Sequence, residues 1–202
     1  MSTTYRPKPS DRGALVLTIV LGAGVSVWTI IQAVLRIIQI APNKDVPITA
    51  AFAETPATLP IGPGGASVDV VANQVTFLAS DLAPATYVAL ILGEVVFAIA
   101  VVATVVCVSI VIRNLIRGAA FTRQNLALVG TSTIVVAFGW MLTWLFTTMG
   151  ANGGAAALAG EYPDNTPRPV DPIMIFAIAA LGALVVAFQA GYRLDRETEG
   201  LV

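Results

Sequence analysis

Four stretches of this chain are apolar for longer than a soluble core element needs, and that constrains its fold more than any other feature. They cover about residues 13–41, 85–112, 126–149 and 172–192. At 1.5 Å per residue, each is long enough to cross a hydrocarbon core of about 30 Å as a helix. Composition agrees, with 56% hydrophobic and 11% charged residues and a mean hydropathy of +0.83, well outside the range of an ordinary soluble domain. The expected fold class is an all-α membrane protein. It is read as a four-transmembrane-helix bundle forming one integral membrane domain over 1–202, with helices at about 13–41, 85–117, 122–149 and 172–193.

A cleaved leader is the competing reading of the first window, because "RPKPSDR" precedes it and "AFAE" at 51–54 offers a small-x-small site. The window is far longer than the apolar region of a signal peptide, and Ala53 lies well past its end. It is therefore counted as a retained helix.

The chain has no histidine and one cysteine, Cys107, in the middle of the second window. An intrachain disulfide is excluded, and most hydrolytic and metal chemistry loses its usual ligands and bases. In hydrocarbon a thiolate is disfavoured, so Cys107 reads as a small packing residue. No nucleophile, base and orienting group occur together. The expectation is a protein that is not an enzyme and needs no cofactor or metal.

Loop charge sets the expected orientation. Arg6, Lys8 and Arg12 precede the first helix, Arg113, Arg117 and Arg123 separate the second from the third, and Arg193 and Arg196 follow the fourth. The opposite side has Lys44 and Arg168 among the acids Asp45, Glu54, Asp69, Asp81, Glu161, Asp164 and Asp171. Positive residues favour the cytoplasmic side, which places both termini in the cytoplasm.

The first outer loop, 42–84, is too long for a turn, and its pattern is not that of a disordered linker. Val68–Val71 and Val75–Leu78 are β-branched runs separated by Ala72, Asn73 and Gln74, consistent with a hairpin. "VPITAAF" could add a strand, and "LPIGPGG" reads as a turn. A lone hairpin is marginal in water, so a small extracytoplasmic β cap resting on the outer helix ends is expected. The second outer loop, from Gly150 to Pro172, is rich in Gly, Ala and Pro and reads as irregular.

The inner connection "RNLIRGAAFTRQNLALVG" is the most legible local segment. Gly118 suits a left-handed cap ending the second helix, with Arg113 and Arg117 near the negative end of its dipole. Thr122 suits the N-cap of the third helix, and Phe121 and Leu126 have the spacing of a hydrophobic staple. This is a tight turn between membrane helices and implies no direct nucleic-acid binding. In the fourth helix, Ala179, Ala183, Ala187 and Gly191 fall at four-residue steps. Small residues at that spacing let helices approach closely in lipid, either within the chain or in a homo-oligomer.

These segments carry a resemblance. "RGAAFTRQN" and the ending "FQAGYRLDRETEGLV" resemble the YoaS-like bacterial membrane proteins, a family defined by a domain of unknown function. Its members look like four-helix proteins with a long first outer loop, a G-x-x-F-[ST]-x-x-N inner turn and a G-x-x-L-x-x-[DE] tail. Gly118, Phe121, Thr122 and Asn125 match the turn; Gly191, Leu194, Glu197, Leu201 and Val202 match the tail. The resemblance implies no catalytic residues. It does imply a regulatory partnership with a small helix-turn-helix protein.

Two charges fall inside apolar windows. In "IIQAVLRIIQIA", Gln32, Arg36 and Gln39 share one helix face, and Glu94 is the only carboxylate within the second window. Counted from the outer helix ends, Arg36 and Glu94 can meet as an intramembrane pair, a default functional candidate. Counted from the inner arginines, about 20 spanning residues are used up by Gln32 and Gly93, so both charges sit at or beyond the outer interface. The remaining polar residues in the windows are mostly Ser and Thr, which usually bond their own helix. The expected function is that of a multi-pass sensory, regulatory or interaction protein in the lipid bilayer, engaging a regulator or another membrane subunit. The alternative is a small oligomeric transporter or channel built on Arg36 and Glu94, or an accessory subunit.

Overall fold

The computed structural model describes residues 8–159 and 171–199. The elements run α1 (Pro9–Ile40), β1 (Val46–Leu59), β2 (Val68–Ala79), α2 (Pro84–Ile116), α3 (Arg123–Ala159) and α4 (Pro172–Glu199). All four helices contain a stretch long and apolar enough to span a membrane, which makes this a multi-pass membrane protein. Helix starts follow local chemistry. Pro84 and Pro172 stand at first helical positions, where a missing N–H costs nothing, and the Asp171 carboxylate accepts from the Ile173 N–H at 2.9 Å.

The structure corrects the hairpin expected within 68–78. Those residues form one continuous strand, β2, paired antiparallel with β1 from Val46↔Ala79 to Leu59↔Val68. "VPITAAF" is thus a strand and "LPIGPGG" the reversal. Ala72, Asn73 and Gln74 contain no residue at positive φ among them, whereas Gly64 and Gly65 adopt φ of 69° and 82° and so turn the chain at little cost. Between Ala51 and Thr55 the register shifts against Gln74 and Ala72, a bulge that holds the extra residues of β1. Pro47 and Pro56 are tolerated because each strand of a two-stranded ribbon is an edge.

A second correction concerns α3. It does not end near Met149 but continues through Gly150, Gly153 and Gly154 to Ala159. Each glycine in a helix costs about 1 kcal/mol against alanine, and here close packing requires them. A Cβ at Gly153 would lie 2.0 Å from Thr86 Oγ1, and one at Gly150 or Gly154 would lie 2.4 Å from Leu90 or Ile48. The rest of the expected irregular loop, 160–170, lies outside the described residues.

The chain divides into two compact units. The first comprises Met1–Ala33, Val95–Leu142 and Asp171–Val202, and the second Val34–Glu94 and Thr143–Val170. In the second unit the base of the ribbon alternates inward, burying Val46, Ile48 and Ala50. These form a core with Ile40, Ala79 and Leu82, against which Phe77, Tyr87, Leu90, Ile91 and Ala151 pack. The ribbon is anchored at its root by Asn43, whose side-chain amide accepts from the Leu82 N–H at 3.0 Å and donates to the Leu82 carbonyl at 3.2 Å. Asn43, Asp45 and Asp81 all have positive φ, a conformation Asn and Asp tolerate better than other side chains.

In the first unit, Gly22 of α1 faces Val105 of α2, and Gly139 of α3 faces Ala100 of α2. On α4 the structure departs from the small-residue stripe. Ala179, Ala183 and Ala187 are exposed, and only Gly191 is closely approached, by the ring of Phe121.

Candidate functional site

Two polar clusters come from the residues that the sequence singles out. In the second unit, Arg36 lies one turn before the end of α1 and Glu94 lies ten residues into α2. Arg36 Nε stands 3.8 Å from Glu94 Oε1, with the side chains 25% and 32% exposed. That separation is a charge contact without a good hydrogen bond, and at this exposure such a pair contributes at most about 1 kcal/mol. The guanidinium does more elsewhere. Its Nη2 donates to the Pro47 carbonyl of β1, and its Nη1 donates to Gln39 Oε1 at 3.3 Å. One arginine therefore joins α1, the first residues of the ribbon, and α2. Hydrogen bonds to a charged donor of this kind are worth about 1.5–3 kcal/mol each, so the link to Pro47 outweighs the ion pair. Gln32, expected on the same stripe, is exposed, and the partners of Arg36 are Gln39, Pro47 and Glu94.

In the first unit, Gly118, Phe121, Thr122 and Asn125 build the connection between α2 and α3. Gly118 has φ of 83°. Its N–H donates to the Leu115 carbonyl and that of Ala119 to the Asn114 carbonyl, each at 2.9 Å, the paired pattern of a Schellman cap. Thr122 caps α3 by accepting from the Asn125 N–H at 3.1 Å. Asn125 is fully buried. Its amide donates to the Ala119 and Ala120 carbonyls at 2.8 Å each and accepts from Asn114 Nδ2 at 2.7 Å. A buried amide whose bonds all return to its own turn holds backbone and has no surface left for a ligand. Phe121 packs on α4, its ring 5.9 Å from that of Phe188 and against Gly191. The turn and the tail that carry the family resemblance thus touch.

Several contributors carry only weak signals in the sequence. Asn114 lies in an arginine-rich helix end, Asn43 in what reads as loop, and Phe188 in a uniformly apolar run. Several other polar side chains of the helices bond to their own backbone. Ser26 donates to Gly22, Thr104 to Ala100, Thr133 to Val129 and Thr147 to Thr143. Thr143 Oγ1 is buried without a partner among the described residues.

The fold and these clusters define a multi-pass membrane protein whose two-stranded ribbon is fastened to helix ends. Comparison with family models, curated proteins and solved structures finds no match.

Proposed function

We propose that this is a non-enzymatic protein of the bacterial cytoplasmic membrane that works by interaction, with its ribbon outside the cell and both termini in the cytoplasm. The observation that carries this reading is the bridge made by Arg36. It ties the ribbon at Pro47 to α1 and, through Glu94, to α2, so a ligand or protein that moves the ribbon acts directly on two helices. The orientation rests on the basic residues flanking the helices. The first unit takes 20 to 28 residues from each helix, enough to cross a bilayer, and Arg36 and Glu94 belong to the second unit. That count, with the hydroxyls of Ser26, Thr104, Thr133 and Thr147 turned to their own backbones, favours an interfacial bridge over a transport pathway.

The cytoplasmic partner is a small helix-turn-helix regulator, as the YoaS-like resemblance implies, or another membrane subunit. The test is affinity capture with the tagged full chain in mild detergent, alongside reconstitution in liposomes. The expected result is co-purification of the regulator, changed in amount by Arg36→Gln, and no ion flux. Flux abolished by Arg36→Gln or Glu94→Gln would overturn the reading in favour of a transporter, and capture of no protein would remove the regulatory partner.

A further inference from the structure

A groove of about 620 Å³ runs between α1 and α2 within the first unit. Its walls are apolar, including Ile19, Val27, Val102 and Val106, and its far end carries Arg113 and Arg117. Among the described residues no carboxylate lines it. Both arginines are exposed, and neither guanidinium has a hydrogen-bond or ion-pair partner among the described residues. The groove has a definite length. From Val102 to Arg113 the helix rises about 16 Å, about half of a hydrocarbon core of about 30 Å, which is one leaflet. Beside it, Gly22 lets α1 come close to α2, a Cβ there lying 3.0 Å from Val105 of the lining. Ser26, on the wall, has its hydroxyl bonded to the Gly22 carbonyl at 3.0 Å, so that group presents little polarity to an occupant.

We infer that this groove binds one anionic phospholipid, with an acyl chain along α1 and α2 and the headgroup phosphate on Arg113 and Arg117. An apolar slot one leaflet deep, ending in two unpaired cations, matches a molecule with a hydrocarbon tail and an anionic head. Guanidinium groups suit phosphate because they can donate two parallel hydrogen bonds. A basic site between helix ends is a recurrent form of lipid recognition. Orientation enters only in naming the leaflet: with the arginines cytoplasmic, it is the inner one. The inference is independent of any regulatory partner.

The experiment is native mass spectrometry of the full chain released from nanodiscs of equal phosphatidylglycerol and phosphatidylcholine. The wild type should retain phosphatidylglycerol preferentially, by about thirtyfold from two arginines. Arg113→Gln with Arg117→Gln should abolish the preference, and the double lysine variant should keep most of it. Ser109→Phe, placed in the slot, should reduce retention of either lipid while leaving both arginines in place. Circular dichroism and thermal melting of each variant show whether it has folded; a variant that fails is replaced by its lysine counterpart or by Val106→Phe. Glycerol phosphate added in excess should not displace the lipid if the acyl chain is held. Equal retention of the two lipids by the wild type, or a preference unaltered by the glutamine pair, overturns the inference. So does a wild-type dimer that Ser109→Phe dissociates without changing lipid retention, because the groove is then filled by a second copy.

Discussion

The two polar clusters differ in how completely they are satisfied. At the α2–α3 turn, Asn125 has no exposed surface and spends its amide on three bonds within one connection. At the root of the ribbon, Arg36 and Glu94 keep a quarter to a third of their surface and face each other at 3.8 Å. The first arrangement has one geometry, since any movement leaves the buried Asn125 amide without its partners. The second can slacken and re-form with water, so its geometry can respond to the ribbon. Polar residues near membrane helices are thus better sorted by whether their bonds close on one turn or bridge separate elements than by charge.

Breaking the closed cluster should give the largest effect. Asn125→Ala removes the bonds to the Ala119 and Ala120 carbonyls and to the Asn114 amide; at a net of about 0.5–1.5 kcal/mol per bond, a loss of about 2–4 kcal/mol is expected, measured by unfolding in mixed micelles. Asn125→Asp should be nearly as harmful, because it removes both donors. A smaller loss than for Arg36→Gln would dissolve the contrast. Next comes Gly153→Ala, whose Cβ would meet the buried Thr86 side chain at 2.0 Å, with an expected cost of about 1–3 kcal/mol. Gly154→Ala should cost less, because the atom it meets is Ile48 Cδ1, the far end of a flexible side chain. Thermal melting of the two variants side by side checks the order.

The open cluster should yield less. Arg36→Gln is expected to cost about 1–2 kcal/mol, mainly through the Pro47 carbonyl, and to speed hydrogen exchange at the start of β1. Glu94→Gln should cost about 1 kcal/mol or less. A double-mutant cycle on the two should return a coupling below about 1 kcal/mol; a coupling of several kcal/mol would mean that the pair is the principal bond and the ribbon contact secondary.

The spans were legible because length and hydrophobicity alone decide them, and the inner turn because glycine, threonine and phenylalanine have local signatures. Counting residues from the outer helix ends allowed Arg36 and Glu94 to meet without requiring it; the structure has them 3.8 Å apart. Membership of Gln32 did not follow, since helical spacing places it beside Arg36 without saying what the guanidinium will reach. The ribbon pairing was misread because Val68–Val71 and Val75–Leu78 look like two strands when their partner, β1, contains two prolines and a bulge. The end of α3 was misread for a related reason. Glycines at 150, 153 and 154 signal a loop locally, and only the side chains of Thr86, Leu90 and Ile48 reveal that a helix needs them. The exposed alanine stripe of α4 shows that spacing identifies a smooth face but not what lies against it.

The seat of Phe121 on Gly191 also fixes how α4 can turn. Successive residues on a helix are about 100° apart, so the surface beside the ring is bare only when position 191 faces it. Rotation by one residue would present Ala190 or Tyr192 instead, and even a Cβ built at position 191 would sit too close, at 2.4 Å from the ring atoms. The helix therefore has a single angular setting at this end, like a key with one notch, and the charged tail that follows inherits that setting.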